Sequence, residues 1–168
     1  LCLAPKDRAD GTRNALRCIG VEKKMGIHGS ATCALSFEGA TAWIVGEPGR
    51  GLAAMFVMMN AARLHVALQG LSHAELAHQN ALRYAHERLQ MRAVTRPPGA
   101  PAGTADPIAL HAPIRRTLLR QRVLVEGARI VAYEAAHWLD LAEHAPSQAA
   151  RARAHGLASL LTPVAKAF

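Results

Sequence analysis

The chain has 168 residues, 51% hydrophobic and 19% charged, with a formal net charge of +8, a length that suits one ordinary domain or a piece of something larger. Aromatics contribute only 4% and alanine fills much of the apolar fraction, so close-packed helices are expected rather than a β-sandwich. The arginines are spread rather than clustered, which favours solvated helix faces over the other readings of a basic helical half, a surface for nucleic acid or for an anionic cofactor. No membrane span is expected, because the most apolar stretch, Gly51 to Gly70, carries Asn60, Arg63 and His65.

Residues 1–47 read as β. Two apolar runs, Thr32 to Phe37 and Thr41 to Val45, flank a tight turn at Glu38-Gly39-Ala40, and "RCIGVEKKMGIHGS" supplies another strand followed by a Gly-bracketed loop. The period then changes. Between Gly51 and Arg92 there is no proline, and Leu52, Met55, Phe56 and Met59 stand on one helical face. Ala74, Ala77, Ala81 and Ala85 form a small-residue stripe suited to close helix approach, and Gly70 marks a possible bend. Residues 93–113 hold five prolines and read as a linker. Pro113 opens a new helix, in which Ile114, Leu118, Gln121, Val125, Ala128, Ala132, Ala135, Leu139 and Ala142 make a bundle-like seam. Pro146-Ser147 starts a last helix, interrupted or bent at Pro163.

Arg63 shares the apolar stripe of Phe56 and Met59, with Asn60 one turn before it. A guanidinium on a buried face needs an anion or a set of acceptors, unless its head snorkels out. Gly46-Glu47-Pro48-Gly49-Arg50-Gly51 lies between a strand and a helix, where phosphates can bind, but its spacing is that of neither a dinucleotide loop nor a P-loop. Glu75/His78 and Glu134/His137 are two Glu-x-x-His pairs on separate helices, the spacing of di-iron bundles. Solvated faces explain them more simply, since the further glutamates such a site needs lack helices to carry them. Arg88 and Arg92 end the long helix, where dipole complementarity and a diphosphate clamp are both open readings.

"KKMGIHGSATCALSF", "GEPGRGLAAMFVMMNAARLHVALQG", "NALRYAHERLQ" and "PIALHAPIRRTLLRQ", in that order along nearly the whole chain, resemble the acyl-CoA dehydrogenases, within them the branch that includes methylmercaptopropionyl-CoA dehydrogenase. The resemblance implies an α+β piece, mostly α. Residues 1–47 would be the C-terminal part of a middle β-domain. Residues 48–168 would be the N-terminal part of a C-terminal bundle of long antiparallel helices. It further implies FAD-dependent oxidation of an acyl-CoA thioester to the 2,3-enoyl-CoA, within fatty acid metabolism. Ser30, Asn60 and Arg63 match substrate-binding positions. Arg88 matches the arginine that binds FAD phosphates across the dimer interface. Gln90, Met91 and His111 match flavin-contact positions, with Met91 replacing the aromatic of many relatives. Electron-transfer flavoprotein as acceptor and a homo-oligomeric state follow from the same likeness.

The family's usual catalytic glutamate has no counterpart here, and Ala62 occupies the alternative position for the base. The chain is therefore expected to be an internal fragment, unable by itself to turn over acyl-CoA or hold FAD tightly. Its opening inside an apolar run fits that expectation. Three cysteines without a CxxC pair suit a reducing compartment, taken as the cytoplasm. Two other readings compete: a non-catalytic helical oligomerisation module, and a metal-binding bundle built on the Glu-x-x-His pairs.

Overall fold

A computed structural model describes residues 1–168. They divide into two compact units, Leu1–Met58 and Met59–Phe168. The first unit holds four short strands, β1 (Cys2–Leu3), β2 (Leu16–Val21), β3 (Cys33–Phe37) and β4 (Trp43–Ile44). The two apolar runs are strands as expected, yet they do not pair with each other. β3 runs antiparallel to β2, and β4 runs antiparallel to β1.

The reason lies in Asn14, which is 2% exposed. Its side-chain amide donates to the carbonyls of Pro5 and Thr41, and its oxygen accepts the Thr41 and Ala15 N–H groups, all at 2.8–3.0 Å. A tight turn at Gly39 (φ 78°) does form. Immediately after it, both main-chain polar groups of Thr41 are taken by Asn14 rather than by a hairpin ladder. Cys33 sits beside Cys18 across β2 and β3, and that neighbouring thiol pushes the Cys33 pKa up.

Three helices follow, α1 (Gly51–Glu87), α2 (Ala112–His144) and α3 (Gln148–Ala167). α1 runs through Gly70 as one helix, about 55 Å long at 1.5 Å per residue. By length and composition alone it could cross a membrane, with mean hydropathy 1.4 in its apolar window. Asn60, Arg63 and His65, on which the expectation of no span rests, all lie along it. α3 likewise continues through Pro163, and its first turn is capped by the Ser147 hydroxyl accepting the Ala150 N–H.

In the second unit α2 and α3 are joined by only three residues, so they run antiparallel, and they approach closely. Small side chains permit this: Ala132, Ala135, Ala154 and Ala158 are buried along them. The expected α2 seam is buried or half-buried at every position from Ile114 to Ala142. The alanine stripe of α1 behaves differently. Ala81 and Ala85 turn inward, Ala74 and Ala77 are exposed, and no main-chain approach of α1 to α2 comes within 8 Å. Long polar side chains span that gap instead. Arg129 donates to Glu75 at 2.6 Å, and His78 lies 3.4 Å from Gln121.

Candidate functional site

The residues between α1 and α2 are irregular, as their prolines demand, but they are not a slack connection. Arg88–Met91 lies antiparallel to Asp106–Ile108. Gln90 N–H donates to the Asp106 carbonyl (3.0 Å), Asp106 N–H to the Met91 carbonyl (2.8 Å), and Ile108 N–H to the Arg88 carbonyl (2.9 Å). A single 3-10 turn, Ile108–Leu110, leads into α2, with His111 as its N-cap residue. The His111 ring nitrogen Nε2 lies 2.8 Å from the Gln90 carbonyl. Arg88, Gln90, Met91 and His111 are thus gathered on one ordered loop, the first three exposed and His111 half-buried. The Arg88 guanidinium carries no ion pair.

The inward side of the loop is held by two residues that sequence reasoning passed over. Asp106 accepts from Arg96 Nε at 2.7 Å and Nη2 at 2.8 Å, and from the Ala93 N–H at 2.9 Å. The Arg96 guanidinium, and after it the Ala93 N–H, hold the Asp106 carboxyl below the usual carboxylate range. Correspondingly, Asp106 raises the pKa of Arg96. A signal was present in the sequence: Asp106 is the lone acid from Arg88 to Thr117, in a stretch with several arginines.

Asn60 and Arg63 pair with each other on α1, Arg63 Nη1 donating to the Asn60 Oδ1 at 3.2 Å. Asn60 is exposed and Arg63 half-buried. They are not brought to the loop: from Asn60 to Arg88 the chain rises about 40 Å along the helix. Ser30 belongs to the other unit. It lies on the exposed loop after β2, its N–H donating to the Ile27 carbonyl at 3.1 Å and its own carbonyl accepting from Lys24 Nζ. Gly46 and Gly49 both take positive φ, about which Arg50 N–H closes a turn onto the Glu47 carbonyl, so these glycines serve the turn between β4 and α1.

The two Glu-x-x-His pairs do not converge. Glu75 is engaged by Arg129 and Gln79, Glu134 accepts from Trp138 Nε1, and no group of three or more His, Cys, Asp or Glu side chains is arranged to hold a metal ion. The metal-binding bundle therefore has no support from the geometry.

No family profile matches the chain. Curated relatives do. It is 43% identical to 3-methylmercaptopropionyl-CoA dehydrogenase of Ruegeria pomeroyi over 166 residues, covering 99% of this chain and 27% of that protein. It is 32% identical to a butyryl-CoA dehydrogenase of Syntrophomonas wolfei, over 97% of this chain and 27% of that one. The chain belongs to the acyl-CoA dehydrogenase family. It spans about a quarter of the length of these relatives. In fold it matches Caenorhabditis elegans ACDH-11, solved in complex with C11-CoA, with a TM-score of 0.75 at 24% identity over 95% of this chain and 24% of that one. The expected architecture, a small β segment feeding long antiparallel helices, is thus an acyl-CoA dehydrogenase fold.

Proposed function

We propose that this chain supplies the substrate-helix and flavin-loop segment of an FAD-dependent acyl-CoA dehydrogenase, which converts an acyl-CoA thioester to the 2,3-enoyl-CoA. The observation that carries the reading is the gathering of Arg88, Gln90, Met91 and His111 on one ordered loop. Those are the residues that match flavin-contact positions in the family. Their chemistry fits the group. An exposed guanidinium without an ion pair suits a diphosphate, and an exposed amide side chain at Gln90 suits the polar edge of a ring. FAD, when bound, supplies a two-electron acceptor for hydride.

The chain's own residues bind and orient. Asn60 and Arg63 would position the CoA thioester, with Arg63 Nη1 already steered by Asn60. Ser30 would contact the acyl-CoA from the β segment. The roughly 40 Å of helix between the Asn60–Arg63 pair and Arg88 supports a homo-oligomer, in which one protomer's substrate residues and its flavin-phosphate arginine serve different active sites. Residues 1–47 then form the end of a middle β-domain and residues 48–168 the start of the helical bundle. Electron-transfer flavoprotein is the proposed acceptor and the cytoplasm the proposed location.

Replacing Arg88 by Ala in the intact protein should reduce flavin retained after dialysis, with affinity down about tenfold or more for a lost charge-assisted phosphate contact. Unchanged flavin content counts against the assignment. A chain that keeps its dimer yet takes up no FAD at all supports the non-catalytic oligomerisation module instead.

A further inference from the structure

Asp106 is 4% exposed, and a carboxylate so buried is tolerated only when its charge and lone pairs are met. Here they are met twice over by Arg96 and once by the Ala93 N–H. The main chain of the same residue takes the Gln90 N–H and gives its own N–H to Met91. Asp106 therefore joins Gln90, Met91, Ala93 and Arg96, and it reaches His111 through the Gln90 carbonyl. Met91 bears the mark of that grip. Its φ of 56° lies in the left-handed region that non-glycine residues rarely adopt, and such a conformation persists where the surroundings over-determine it.

We propose that Asp106 is a positioning residue for the cofactor contacts: its carboxylate, clamped by Arg96, closes the 93–106 segment and so sets the backbone of Gln90 and Met91 and the ring of His111. This deepens the flavin reading and rests on it for what is positioned, not for the clamp. The clamp depends on charge. A carboxyl whose folded pKa is lowered contributes its order fully above the ordinary carboxylate range, and loses it as pH falls through the lowered value. The other titratable groups facing Asp106 are His111 at the start of α2 and His86, from α1, in the same pocket.

Asp106→Asn in the intact protein keeps the size of the side chain and removes its charge. Corrected hydrogen exchange at the Ala93 amide is expected to be about tenfold faster or more, as when a hydrogen bond to a charged group is lost. FAD affinity should fall by a comparable factor, with Asp106→Glu regaining part of both. In the wild type Ala93 protection should decline at low pH, whereas in Asp106→Asn it should be low and flat across that range. Unchanged exchange at Ala93 overturns the clamp. Faster exchange with unchanged FAD affinity, in a protein whose Arg88→Ala variant does lose FAD, overturns the positioning role. When neither variant moves FAD affinity, the flavin reading itself fails, and the role assigned to Asp106 goes with it. Should Asp106→Asn not fold, Arg96→Lys, which keeps the charge and loses the two-pronged grip, carries the same comparison.

Discussion

Two loops in this chain carry a non-glycine residue in the left-handed region, Ile27 (φ 54°) and Met91 (φ 56°), and no other non-glycine residue does so. Both hold or adjoin residues assigned to ligand contact, Ser30 in the first and Gln90 and Met91 in the second. They are secured very differently. Around Met91 a buried carboxylate, a bidentate guanidinium and three main-chain hydrogen bonds fix the path. Around Ile27 the structure provides one main-chain bond from Ser30 and one contact from Lys24, both exposed. The difference teaches that the flavin side of the proposed site is preset by this chain's own interactions. The substrate side at Ser30 is shaped locally, with little to enforce it.

Breaking the stronger loop should have the largest effect. Arg96→Met leaves the Asp106 carboxylate buried and unpaired, so the thermal midpoint should drop and exchange at Ala93 should rise at neutral pH, more than for any other single change in either loop. Relieving the strain separates the loops further. Ile27→Gly should stabilise by about 1 kcal/mol, because a β-branched residue at positive φ is a steric outlier that glycine abolishes. Met91→Gly should gain less, because Met is unbranched at Cβ and glycine loosens a loop whose order matters. Denaturant midpoints with matched slopes would read both, and a destabilised Ile27→Gly protein would contradict the strain argument. Least of all, Lys24→Ala should leave the midpoint unchanged, since an exposed contact of this kind contributes little.

Much of this arrangement was legible in the sequence, and what was not has a common cause. The change from period two to period 3.6 near Gly46–Gly51 and the α2 seam both follow from residue spacing, and the structure keeps them. Residues 93–113 are irregular because five prolines leave no alternative. The pairing of β3 with β2, and not with β4, could not be read there, because it turns on Asn14 reaching a main-chain segment 27 residues away. The alanine stripe on α1 promised a close approach. Glu75 and His78, which share the inward face with Ala81 and Ala85, prevent it by demanding partners of matching length on α2. At the candidate site the family pattern marked residues that are mostly exposed, Arg88, Gln90 and Met91 among them. Asp106 and Arg96 face inward and support them, and such partners become visible only once the loop is folded.

The short link between α2 and α3 bears on how the chain comes to fold. A helical pair joined by three residues, with Ala132 and Ala135 on one helix and Ala154 and Ala158 on the other, makes its contacts between neighbours in sequence. Little loop entropy is lost in bringing them together. The pairing of Cys2–Leu3 with Trp43–Ile44 must instead close some forty residues for a ladder of two. Of the two pairings, that of α2 with α3 therefore carries the smaller loop-closure cost and that of β1 with β4 the larger.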